Sequence, residues 1–378
     1  MPNNYKICSN CVMDTTDPDI IFDENGVCDH CNIFYSHTLP AWQKKQSNPS
    51  ALNKIIQDIK SSSKGKDFDC IIGMSGGVDS SYLTHYAATD LGLKPLVFHV
   101  DAGWNSKIAV NNIEKIIDKL DLDLFTEVID WEEMQDLQLS FLKSGVSHID
   151  TPQDHCFFAV MYKFASKYNI KYILTGGNLS TECIRNPVSW MYYQSDARQL
   201  KDIQRRFGAR KLKNFPTTSI LWHKLYLPYI RRIKTLRILD HIHYNKKEAI
   251  GMLEHEYGWE SYGQKHFESR FTRFYEAYWL PKRFGFDTRR VQFSSLIVTN
   301  QMTREEAMEI LEKPSYDEGT IHNDLEYVSN KLEISTQELV EYLEAPKKYF
   351  SDYKSQEKLY KLGSKIFKIL NLEIGGKR

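Results

Sequence analysis

No stretch of this 378-residue sequence approaches the roughly twenty consecutive apolar residues that a membrane-spanning helix needs, so no membrane segment is expected. Net charge is also missing. The 49 basic residues balance 49 acidic ones, and no global basic field points to a nucleic-acid partner. The opening Met-Pro-Asn-Asn-Tyr-Lys has no signal-peptide apolar core, so a cytoplasmic protein is expected. Cysteine is scarce, seven in all, and without an export signal these read as metal ligands or reduced thiols more than as disulfides. There is no internal repeat, no low-complexity tract and no G-x-G-x-x-G dinucleotide turn. Hydrophobic content of 42% and charged content of 26% describe an ordinary globular chain long enough for two domains.

One stretch organises what remains: Asp69-Phe-Asp-Cys-Ile-Ile-Gly-Met-Ser-Gly-Gly-Val-Asp-Ser-Ser81. A buried-strand run (Cys70, Ile71, Ile72, Met74) breaks into Ser75-Gly76-Gly77-Val78-Asp79-Ser80, and a helical pattern follows. Strand, glycine turn and helix together aim free backbone N–H groups and a helix dipole at one spot, which suits an anion. The phosphate loop G-x-x-x-x-G-K-S/T fails here, because Val78 and Asp79 stand where Gly and Lys should be. Without that lysine, γ-phosphoryl transfer is poorly supported. A plain Ser/Gly turn is the alternative.

Residues 1–50 hold Cys8-x2-Cys11 and Cys28-x2-Cys31, two knuckles spaced to close a tetrahedral zinc on four thiolates. Such a closed site is structural, and a zinc ribbon is expected. Two disulfides or an iron–sulfur cluster are the alternatives on the same residues. His30 and His37 read as bystanders. Residues 51–190 read as a doubly wound α/β domain, with a lead-in helix near 51–60. Strands are expected at 69–74, 95–100, 124–129 and 171–175, and helices at 80–91, 107–120, 132–143 and 152–168. Thr151 is expected to cap the last of these, with Pro152 at its first position.

Three motifs fall just past strand carboxyl ends, where open parallel sheets bind ligands: Ser75–Ser80, His99–Trp104 and 176–182. Asp101 by itself reads as a helix-capping or turn residue; the likeness of His99–Trp104 to the second strand of pyrophosphate-loop enzymes implies instead a ribose hydroxyl or a magnesium-bound water. Glu182 or Thr181 could serve the metal or substrate, and Glu182 reads equally as a first-turn carboxylate. Residues 191–378 read as a mainly helical substrate or partner region. Two basic runs, Arg198 to Lys213 and Arg231 to Arg237, are expected on amphipathic helices, holding a diphosphate or simply facing solvent. The segment from Lys265 to Gly285 is dense in aromatics and arginine, and reads as the lining of a cleft. Capping boxes Thr303-x-x-Glu306 and Ser335-x-x-Glu338 open short helices.

The Ser-Gly-Gly-Val-Asp-Ser loop resembles that of the ATP-pyrophosphatase (PP-loop, HUP-like) superfamily. In that superfamily ATP is cut between its α- and β-phosphates, and AMP passes to a carbonyl oxygen. The order of the four-cysteine ribbon, that loop, His-Val-Asp-Ala-Gly-Trp, Thr-Gly-Gly-Asn and Lys-His-Phe-Glu-Ser-Arg-Phe is similar to the N-acetyl sugar amidotransferases. Those enzymes belong to bacterial lipopolysaccharide O-antigen and flagellin nonulosonic acid pathways. The resemblance implies an ATP-dependent conversion of a sugar acetamido group into an acetamidino group.

By that resemblance ATP falls to Ser75, Gly76, Gly77, Val78, Asp79, Ser80, His99, Asp101, Gly176 and Asn178, with Ser75 and Asp79 catalytic. Asp79 would also bind Mg²⁺. Glu182, Arg185, Lys265, His266 and Arg270 would meet an N-acetyl sugar nucleotide or a nonulosonic acid. Residue 2 is Pro, and Cys70, Cys156 and Cys183 lie in no Gly-x-Cys-x-Gly elbow. Glutaminase activity is therefore expected on another polypeptide, and the resemblance implies that ammonia comes from a separate glutaminase and cyclase-like pair resembling the subunits of imidazole glycerol phosphate synthase. The rival enzyme is a PP-loop tRNA sulfur transferase, for which Cys156 and Cys183 are the only candidate thiols. The non-enzymatic rival is a zinc-ribbon binding protein with an inactive nucleotide fold.

Overall fold

The computed structural model describes residues 5–369. Five parallel strands form one sheet in the order β3-β2-β1-β4-β5: β1 Cys70–Gly73, β2 Pro95–Asp101, β3 Leu124–Val128, β4 Tyr172–Leu174 and β5 Lys234–Leu236. Ile72 pairs with Val97 on one side and Leu174 on the other. Strands β1 and β2 are continuous apolar runs because helices cover both faces of the sheet. Ile71, Phe98 and Ile173 point to the face covered by helices Trp131–Ser144 and Thr151–Lys167. Ile72, Val97 and Leu174 point to the other, under Val78–Thr89, Lys107–Leu120 and Lys246–Tyr257. Each such large side chain contributes roughly 1.5–3 kcal/mol by leaving water. This is a doubly wound α/β fold, with a four-cysteine module before the sheet and a mainly helical chain after it.

Four strands and their helices lie within a few residues of expectation. The helix near 152 starts at Thr151, but its cap position is Asp150, which makes no side-chain cap bond. That carboxylate is taken instead by Thr272 Oγ1 at 2.6 Å and by Gln153. The fifth strand corrects the helix expected over the second basic run. A π-helix, Trp222–Ile230, contains Pro228 and is followed by Arg232 at φ +54°, and the chain then pairs Ile173 with Thr235. Three residues are too few to show a period of two, and an edge strand buries little.

The first basic run does form a helix, Ala197–Phe207, with Leu200 and Ile203 in the core. Three of its arginines are spent on ion pairs: Arg205 and Arg206 with Asp202, and Arg210 with Glu132. The capping box at Thr303 and Glu306 is complete. At Ser335 only half of it forms, because Glu338 accepts the Tyr342 hydroxyl instead.

The aromatic segment after Lys265 is largely core, with Phe271, Phe274, Tyr275 and Trp279 buried. Its arginines are held by acceptors of the chain: Arg270 and Arg273 by the fully buried Asp324, and the buried Arg283 by the carbonyl oxygens of Tyr342 and Pro346. Phe34 and the four ribbon cysteines share a third cluster with Leu179, Ile184, Val291 and Val298. No helix among the described residues is long and apolar enough to cross a membrane.

Candidate active site

The chain reverses direction across the sheet between β1 and β4, which opens a crevice at their carboxyl ends. β1 stops at Gly73, Ser75 to Gly77 turn, and Val78 starts a 12-residue helix whose cap, Gly77, offers no side-chain bond. The N–H groups of that first turn therefore face outward. Ser80 Oγ donates to Gly77 O at 3.1 Å and accepts from Ser75 N at 3.3 Å, which ties the turn together. Gly76 sits at φ +82°, and a Cβ there would lie 2.4 Å from Ala109 O. Its own carbonyl accepts Trp259 Nε1 at 3.1 Å. Gly76→Ala is expected to cost roughly 2 kcal/mol or more and to abolish nucleotide binding, readable as a melting-temperature drop without any ATP-induced rise. An ATP shift equal to that of the parent chain would show that the turn does not hold the nucleotide.

Gly176, just past β4, packs against the same turn, where a Cβ would come within 2.8 Å of Ser80 N. Asn178 donates to Asp79 Oδ1 at 3.2 Å, and its side-chain oxygen caps the short helix Leu179–Glu182 through Thr181 N. Tyr244 OH donates to the same Asp79 oxygen at 2.6 Å. Lys265 Nζ bridges two carboxylates, Glu182 Oε1 at 2.6 Å and Asp79 Oδ2 at 3.4 Å. Burial alone would raise Glu182, but Lys265, with His266 and Arg237, holds it below the usual carboxylate range. Burial would likewise lower Lys265, and Glu182 and Asp79 together push it above its ordinary value. The loop that lacks a lysine thus receives one from far along the chain. Asp79 and Glu182 form the kind of hard-oxygen set that would hold Mg²⁺ if Lys265 turned aside.

Asp79, Gly176, Glu182 and Lys265 line a cavity of about 250 Å³ together with Lys246, Tyr262 and Glu268, while Asn178 and Tyr244 stand behind Asp79. Glu268 Oε1 accepts from Ser75 Oγ at 3.2 Å. A second cavity of about 590 Å³ opens from the first, sharing Ser75, Glu182, Lys265, His266 and Glu268. One part is apolar (Phe98, Phe157, Phe158, Met161), and another is polar (His148, Asp150, Gln194, Gln292, Arg185, Arg237). His99 lines it, with Nδ1 2.9 Å from Met74 O and Nε2 3.0 Å from Asn105 Nδ2, the pattern of a neutral ring protonated at Nδ1.

Two expected site residues fall elsewhere. Asp101 takes the turn role, accepting Gly103 N at 2.8 Å and Asn105 Nδ2 at 3.1 Å, and lines neither cavity. Arg270 also lines neither. Its guanidinium lies 3.5 Å over the Tyr327 ring and pairs with Asp324, because a buried carboxylate demands a counter-charge. Arg185 lines the larger cavity. Tyr244, Lys246 and Tyr262 carry no sequence signal that would have selected them, whereas Arg237, the end of the second basic run, does line the larger cavity. Glu268 lay inside a quoted motif, without a role.

His266 holds φ +69°, an unfavourable backbone for a residue with a Cβ, and its Nδ1 lies 2.9 Å from Glu276 Oε1. Burial would lower this imidazole, but Glu276 outweighs it and pushes the pKa up from 6.5 to about 9. The folded value lies above the unfolded one. The pair's contribution to stability is therefore fully present below pH 6.5 and fades as pH rises through about 9. Melting temperature should fall across that window, and Glu276→Gln should flatten the fall. An NMR titration placing His266 at its ordinary value would contradict this.

In the ribbon, the four thiol sulfurs of Cys8, Cys11, Cys28 and Cys31 lie within 4.8 Å of one another, all buried. The separations of 4.0 Å (Cys8 to Cys31) and 3.7 Å (Cys11 to Cys28) exclude disulfides. They match the edge of a tetrahedron with metal–sulfur bonds of about 2.3 Å, which is about 3.8 Å. Backbone N–H groups of Cys11 and Cys28 point at Cys8 Sγ, as thiolate ligands require. The donor set fits a single metal ion, and a multi-iron cluster would spread its cysteines further apart. Cys156 and Cys183 are buried, burial pushes both thiols up, and neither lines a cavity.

Two solved structures are similar over long stretches at low identity. One is the NH3-dependent NAD synthetase of Campylobacter jejuni, in complex with the nitrate ion. It has 14% identity and a TM-score of 0.28, over 57% of this chain and 93% of that one. The other is the U34-tRNA thiolase NcsA of Methanococcus maripaludis with its 4Fe–4S cluster, at 11% identity and a TM-score of 0.31, over 86% of this chain and 88% of that one. No curated protein sequence matches the chain. Residues 268–367 match the family model described as "LPS biosynthesis protein WbpG-like, C-terminal domain". The match runs from Glu268, beside the Ser75–Ser80 turn, into the last described helix, a likeness over 100 of the 378 residues.

Proposed function

We propose that the chain is an ATP-dependent, AMP-forming amidotransferase of bacterial surface-glycan synthesis. In this reading it adenylates the acetamido oxygen of an N-acetyl sugar nucleotide or nonulosonic acid and lets ammonia displace AMP, leaving an acetamidino group. The observation that carries this reading is the junction of the two cavities. The phosphate turn opens directly into a larger, polar cavity that shares Ser75, Glu182, Lys265, His266 and Glu268 with it. Its size suits a nucleoside and a sugar held side by side. An amide oxygen is a poor leaving group, and a phosphate ester of it is a good one. The protein then has mainly to align the partners and meet developing charge.

Ser75, Ser80 and the turn's N–H groups would hold the pyrophosphate, and Lys265 would meet charge as the α–β bond breaks. Mg²⁺ on Asp79 and Glu182 would neutralise the phosphate oxygens. The ribbon would carry one structural zinc. Neither cavity is lined by a cysteine, which favours this reading over sulfur transfer by a catalytic thiol, and in this reading glutamine would be hydrolysed by a separate polypeptide.

The test is incubation with ATP, candidate N-acetyl sugar nucleotides or nonulosonic acids, and either ammonium or glutamine. The expected products are AMP, pyrophosphate and a slightly lighter, positively charged sugar, formed with ammonium alone. Glutamine should serve only after a glutaminase partner is added. ADP as product, or sulfur delivered to tRNA, would refute the reading.

A further inference from the structure

One wall of the larger cavity holds groups that the phosphate chemistry leaves unused: His148, Asp150, Asp154, Thr272 and Tyr275. Asp150 is 3% exposed and accepts one hydrogen bond from Thr272 Oγ1 and one from Gln153 Nε2, on different oxygens. Asp154 Oδ2 lies 3.2 Å from His148 Nε2. Tyr275 is 1% exposed and stacks on His148 with centroids 5.9 Å apart. Its buried hydroxyl has no hydrogen-bond partner among the described residues. Burial and then three carboxylates, Glu276, Asp150 and Asp154, push that phenol well above its ordinary value. Among the described residues no lysine or arginine forms an ion pair with Asp150 or Asp154.

Two carboxylates and an unpartnered phenol thus face one imidazole. Asp150 is buried and Asp154 about a third exposed; burial would lower His148, but Asp154 and then Asp150 hold it above its ordinary value, so one imidazolium answers two carboxylates. We propose that this wall is an ammonium-binding site, with Asp150 and Asp154 as its anionic partners and the Tyr275 hydroxyl as a third acceptor. Ammonium carries four N–H donors, and each Asp150 oxygen keeps a lone pair after its one protein bond. A sugar hydroxyl would fill the hydrogen bonds but leave the charge unmet. The proposal rests on the reading that ammonia is the nucleophile.

Ammonium has no lone pair with which to attack. One N–H bond must break, its proton passing to an Asp150 carboxylate oxygen while the electron pair stays on nitrogen. That pair then forms the bond to the activated carbon, and AMP leaves with the C–O pair. Burial, with Asp154 beside it, pushes Asp150 up to about 7, so it can take a proton near neutrality.

Thallium(I), an ammonium surrogate of similar size, tests the site without any reaction. Crystals of the full chain soaked in thallium acetate should show an anomalous peak between Asp150 and Tyr275, and Asp150→Asn crystals should lose it. In ammonium-driven AMP formation, Asp150→Asn should raise KM for ammonium by about tenfold or more with KM for ATP unchanged. Tyr275→Phe should do so more weakly. If Asp150→Asn does not fold, Asp154→Asn carries the same expectation. No thallium peak at this wall in the parent protein overturns the proposal. So do variants that raise KM for the sugar and leave that for ammonium unchanged, since the wall would then belong to the sugar. If no sugar is amidated at all, the reaction reading fails, and the thallium peak still decides the site.

Discussion

Asp79→Asn should cut turnover by at least about a hundredfold and leave the fold standing. Asp79 lies in the first turn of the helix that follows the phosphate turn, where Tyr244, Asn178 and Lys265 converge on it. An asparagine oxygen can still accept from Tyr244 and Asn178, so the local scaffold survives. What disappears is the negative charge. Lys265 would be left to Glu182 alone, and the hard-oxygen set for Mg²⁺ would lose a member. Measuring AMP release beside melting temperature separates the two effects. Full turnover in this variant would reduce the Ser-Gly-Gly-Val-Asp-Ser sequence to a turn without chemistry.

Removing a ribbon cysteine should act through folding. Cys11→Ser breaks the set of four buried sulfurs, and the small module around them has little other core of its own. A fall in melting temperature of about 10 °C or more is expected, at roughly 2–4 °C per kcal/mol for a chain of this size. One zinc per chain should be found in the parent protein by elemental analysis, and less in the variant.

The effect should also reach the site. Ile184 and Val291 share the cysteines' cluster and line the larger cavity. Arg304 donates to the carbonyls of Cys8 and Cys11, and Val12 N donates to Ser294 Oγ. A loosened ribbon should therefore raise KM for the sugar more than for ATP. An iron–sulfur chromophore, or an unchanged melting temperature with no metal bound, would remove this prediction.

The sequence by itself determined what short-range signals carry. Glycine turn, knuckle spacing and apolar strand runs each lie within about twenty residues, and chemistry follows from residue type at those spacings. The strands through β4, their helices, the glycine turn and the clustered thiols were legible for that reason. Only the tertiary structure decided which side chains meet at the turn. Lys265 reaches Asp79 across 186 residues and Glu182 across 83, and no periodicity records such a contact.

The same holds for Arg270, which reads locally like a ligand arginine and is claimed by Asp324, 54 residues away. It holds as well for the wall of Asp150, Asp154 and Tyr275, built from two helices separate in the chain. Strand β5 is a different case. With three residues and one edge to bury, its identity comes from the hydrogen bonds β4 offers it, and those exist only once the sheet has formed.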